Sequence, residues 1–152
     1  MGRLAMSILA ALIVTCALPA CASDPDSKPF SLDTVNALEE RITQAQPQEQ
    51  CFLYAQLVHQ ITEVSLKEYA AGQANVAITL LQKAQEFAKK IHLSVSGSDR
   101  RLKNAELLLR HSAFRLQELL HSSSYEDRQF VAQTLAQVDA ADSAAMMQVF
   151  KK

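Results

Sequence analysis

Cysteine, glycine and proline are scarce in this 152-residue chain, and tryptophan is absent. Each scarcity excludes something. Cys16 and Cys21 fall within the first 22 residues, so the remainder holds Cys51 alone. A single thiol forms no internal disulfide, and without Cys-x-x-Cys-His there is no covalent haem attachment. All four prolines lie at or before Pro47, and beyond residue 22 the only glycines are Gly72 and Gly97. From residue 48 onward almost nothing interrupts a helix. A phosphate-binding glycine loop and a Ser/His/Asp ordering are also missing, so the expectation is a protein that is not an enzyme and carries no cofactor. A net charge of −1 gives no general reason to expect a nucleic-acid partner.

What is present begins with a leader. Arg3, the apolar run from Leu4 to Val14, and Ala20-Cys21-Ala22 have the layout of a secretory signal peptide over residues 1–22. Leu18-Pro19-Ala20-Cys21 also resembles a bacterial lipobox, in which the Cys, here Cys21, is acylated and becomes the first residue of a lipoprotein. Pro19 departs from that pattern. The run is too short to span a bilayer as a stable helix. Expected localisation is therefore export, to the periplasm or outside the cell, with a membrane tether if Cys21 is lipidated. Residues 23–30 read as a flexible tether, because two prolines and three charges crowd into them.

Residues 31–152 are expected to form one all-α domain, an antiparallel up-and-down bundle of about five helices, four of them long. Ser31 is the expected N-cap of the first helix, whose apolar face is Leu32, Val35, Leu38 and Ile42. Pro47 fits the first turn of the second helix, which runs to about residue 71. Its only clearly polar strip is Gln56, Gln60, Glu63 and Lys67, so neighbours should cover it on most sides. Gly72 marks a turn, and the third helix then runs to about residue 93. After a connection at 94–98, with Ser98 as cap, a fourth helix covers about 99–121. Ser124 and Asp127 open the fifth, with Val131, Leu135, Val138, Ala145 and Val149 on its inner face.

Gly72, Ala77, Leu81 and Ala84 resemble the second half of a tetratricopeptide repeat, where small residues let two helices approach closely. The resemblance covers one hairpin; the positions that open such a repeat hold Ile61, Val64 and Ser65, and no second copy follows at a fixed period. It implies hairpin packing and no function.

Three groups of residues stand out chemically. Glu118 and His121 form a Glu-x-x-His pair similar to those of di-iron carboxylate bundles, without the twin such sites need, and remain weak metal candidates, with His111 as a further one. The other histidines, His59 and His92, have Gln56 and Lys89 three residues earlier. Cys51 sits on an apolar helical face, where burial makes a thiol inert. Asp142 falls among Val138, Ala145 and Val149 and needs a partner, basic residues of the third and fourth helices being the candidates, unless solvent reaches it.

Charge is uneven. Residues 83–115 carry eight Lys or Arg against three acids, whereas residues 24–68 carry eight acids against three bases. Lys89 and Lys90 approach Arg100, Arg101 and Lys103 across one short connection, making one end of the bundle basic. That end is a candidate anion or membrane contact, unless acids of the first two helices neutralise it. Leu107 and Phe114, off the main apolar face, are candidate partner contacts, unless another helix of the same bundle covers them. The leading expectation is an exported interaction module of the cell envelope whose partner is an envelope protein or an anionic membrane surface. The competing class is a ligand- or metal-binding bundle.

Overall fold

Ser31, with an extended backbone, closes a reciprocal cap with Thr34: each residue's side chain accepts from the other's backbone N–H, at 3.4 and 3.1 Å. This starts α1, Leu32–Gln44. The structure, a computed structural model, describes residues 30–93 and 99–151. The signal-like leader, Cys21, the tether up to residue 29 and the connection with Ser98 lie outside the described residues.

Pro47 opens α2, Pro47–Ala70, at a position whose N–H would have no helical partner. The chain then turns through Gly72 at φ 81°, with Gly72 N–H donating to the Tyr69 carbonyl at 3.0 Å and Gln73 N–H to that of Glu68 at 2.9 Å. A Cβ there would meet nothing within 4 Å, so the backbone conformation alone selects glycine. Beyond it come α3, Ala74–Leu93, and α4, Asp99–Ser122. Ser124 then caps α5, Tyr125–Phe150, its hydroxyl accepting from Asp127 N–H at 3.2 Å.

Side-chain pairs reveal how the helices run. Tyr54 stacks on Phe87 at 5.9 Å, as an antiparallel α2–α3 hairpin requires. Between α2 and α4, Glu49 meets Arg101, His59 meets Ser112 and Glu63 meets Arg115, always 52 or 53 residues apart. A constant separation means the two helices are parallel. Helices α4 and α5 form a second antiparallel hairpin, in which Lys103 and Leu107 lie near Met146, Val149 and Phe150. Gln85 of α3 donates to Thr134 Oγ1 of α5 at 2.8 Å. The four long helices thus alternate in direction along the chain as expected. Around the bundle, however, the order is α2, α3, α5, α4, and α3 and α4 do not pack directly on each other among the described residues. Two helical hairpins lie side by side.

The core has two parts. Between the four long helices lie Val58, Leu81, Ile91, Leu109, Leu116, Val131 and Val138. A second cluster joins Val35, Leu38 and Ile42 of α1 to Leu53, Leu57, Ile61 and Val64 of α2 and Leu80 and Ala84 of α3. Helix α2 contributes to both, which is the physical reason for its broad apolar sector. Leu57 and Ile61 are fully buried, each burial stabilising the fold by about 1.5–3 kcal/mol. Fully buried Ala77, Ala84, Ala88, Ala105 and Ala145 let the backbones come close. On α5 the buried line runs Val131, Thr134, Val138, Ala141 and Ala145, while Leu135 and Val149 are only half-buried. The inner face is therefore rotated from the expected one, and Asp142 flanks it.

Candidate functional site

The parallel register of α2 and α4 stacks polar residues in rungs. His59 and Glu63 stand one turn apart on α2, and His111 and Arg115 face them from α4. Each of His59, Glu63 and His111 offers a ligand-type atom within 4.8 Å of the others. The two imidazole centroids are 5.0 Å apart.

Neighbours fix both side chains on α2. The Ser112 hydroxyl donates to the Leu108 carbonyl at 2.8 Å, so its oxygen is left to accept from His59 Nδ1 at 3.3 Å. That assigns the proton to Nδ1 and leaves a lone pair on Nε2. The Phe30 and His59 rings meet edge to face, their centroids 5.5 Å apart and their planes at 89°. Burial pulls the His59 pKa below its ordinary value; nearby Glu63 opposes the shift, and His111 and Arg115 add to it. Glu63 accepts from Arg115 Nε at 3.0 Å and from its Nη2 at 3.4 Å, while Arg115 also pairs with Glu118. An open groove of about 820 Å³ continues from Phe30 and Glu63 to Tyr69 and Ser122.

The residues singled out in the sequence are placed differently. Glu118 is exposed and engaged with Arg115, and His121 is exposed in the last turn of α4. The metal-capable group of three among the described residues is the His59 cluster, which shares only His111 with the earlier candidates. The sequence signal for it is His59-x-x-x-Glu63, two ligand-type residues one helical turn apart. Its third member and its supports, Ser112 and Arg115, lie 52 or 53 residues away and follow from the packing of α4 on α2.

At the other end of these helices, Arg101 pairs with Glu49 at 2.7 Å, so part of the basic cluster is neutralised within the fold. Lys90 Nζ stands 5.0 Å from the Phe87 ring centroid. Lys89, Arg100 and Lys103 are exposed. Leu107 and Phe114 are 63% and 60% exposed, so no helix of the bundle covers them. Cys51 is buried, and burial pushes its thiol pKa up to about 11. Asp142 is half-buried, and its Oδ1 has no hydrogen-bond partner. Desolvation raises its pKa, Glu106 and Asp139 add to the rise, and Arg110 of α4 works against it. No family model, curated protein or solved structure matches the chain.

Proposed function

We propose that this chain is an exported, non-enzymatic interaction module of the cell envelope whose basic end rests on an anionic lipid surface. The observation that carries the reading is the company kept by the cations. Alternating helix directions bring the end of α3, the start of α4 and the end of α5 to the same end of the bundle. Exposed Lys89, Arg100, Lys103 and Lys151 there accompany exposed Leu107, Met147 and Phe150. Phe114 extends the apolar line two turns along α4.

Cations that attract lipid phosphates, beside side chains that enter the headgroup layer, are the ingredients of reversible membrane association. Both are needed. No described helix is long and apolar enough to cross a membrane. The leader supports export, and lipidation at Cys21 would hold the bundle where this end acts.

Flotation with vesicles of phosphatidylglycerol and phosphatidylcholine tests the reading on the chain from Ser23 onward. Binding to the anionic vesicles is expected, with little to phosphatidylcholine alone and less at high salt. Arg100→Glu with Lys103→Glu should abolish it and leave the helical circular dichroism intact. The pairing of Arg101 with Glu49 makes Arg101 the wrong residue to change. Equal binding by the double variant would overturn the reading.

A further inference from the structure

We propose that His59, Glu63 and His111 form a binding site for a divalent late first-row metal ion, zinc foremost, on the α2–α4 seam. Two imidazoles and one carboxylate suit zinc and leave a fourth coordination position for water or another ligand. Bonds of about 2.1 Å at tetrahedral angles put ligand atoms roughly 3.4 Å apart. The three groups already lie within 4.8 Å of one another, and His111 is exposed and can turn inward.

The surroundings favour this site over a chance meeting of polar groups. Ser112 holds the proton on His59 Nδ1, which presents Nε2 as the ligand, as outer partners do for metal-bound imidazoles. Arg115 holds the Glu63 carboxylate, and Glu118 offsets the guanidinium charge, so these three side chains together keep one net negative charge. Phe30 braces the His59 ring from the start of α1. His59 and Glu63 share one face of α2 at a spacing of four, so one rigid helix presents two of the three ligands.

Competition of the untagged chain against a chromophoric zinc chelator tests the site, with cobalt(II) absorption as a second readout. The expected result is one zinc per chain and the visible absorption of four-coordinate cobalt. His111→Ala should weaken zinc binding by more than about 100-fold, and Ser112→Ala, acting through His59, by about 10-fold. Exposed His111 can be replaced without disturbing the core, and circular dichroism checks this. His121→Ala should bind zinc as the wild type does. The site is overturned if the wild type takes up no zinc, if His111→Ala binds equally well, or if His121→Ala is the variant that loses it.

Discussion

Tyr69, near the end of α2, donates its phenolic hydrogen to Asp127 Oδ2 at 3.0 Å and accepts the backbone N–H of Ser124 at 2.8 Å. Ser124 in turn donates to the same carboxylate oxygen at 2.8 Å. One side chain of the first hairpin thereby clasps the turn of the second. Tyr69→Phe keeps the ring and removes both bonds, one of them to a charged group. It should cost about 1–2 kcal/mol in urea unfolding, and an unchanged midpoint would show that the clasp contributes nothing.

Asp142 is a stability defect at neutral pH. Its folded pKa lies above its ordinary value of 3.8, so the folded state holds a proton that the unfolded chain releases. Stability therefore falls as pH rises through the window between the two values, and the loss is complete above it. Asp142→Asn should raise the melting temperature at pH 7, and the gain should shrink as the pH drops below the carboxylate range. A gain independent of pH would mean that charge is not the cause.

Cys51 works in the alkaline range. Its thiol titrates at about 11 in the fold against an ordinary 9.0, so between those values the unfolded chain loses a proton that the folded one keeps. Stability should decline from pH 9 to 11, and Cys51→Ala should remove that part of the slope. At pH 8 a thiol reagent should label Cys51 only at the rate of unfolding. Rapid labelling of the native protein would place the thiol at the surface.

Gly72 is held by its positive φ and by nothing steric. Gly72→Ala should destabilise the protein by about 1–2 kcal/mol, whereas Gly72→Asn should cost less, because asparagine tolerates the left-handed region. Equal losses would point instead to side-chain crowding at the turn.

The helices were legible because their signals are local. Ser31, Pro47, Gly72 and Ser124 act within a turn of themselves, and the expected boundaries agree with the observed ones to within a residue or so. The burial of Cys51 was legible for the same reason. Which helix lies beside which was not, since an apolar stripe specifies a buried face without naming its partner. Spacing alone singled out Glu118 and His121, yet Arg115 engages the first and solvent surrounds the second. The His59 cluster assembles only when α4 docks on α2 in parallel. The sequence puts Asp142 in the middle of the inner face of α5, whereas the rotated face places it at the margin of the core.

The parallel seam has a consequence for folding kinetics. The α2–α3 and α4–α5 hairpins close over short turns, whereas α2 meets α4, and α3 meets α5, only between residues about fifty apart along the chain. Near contacts cost little chain entropy, and distant ones must wait for it to be overcome. Hairpins should thus be formed at the folding barrier, with their docking still incomplete. Stopped-flow measurements should show Gly72→Ala slowing refolding and Thr134→Ala, in the α3–α5 seam, mainly speeding unfolding. The barrier belongs to the meeting of two finished halves.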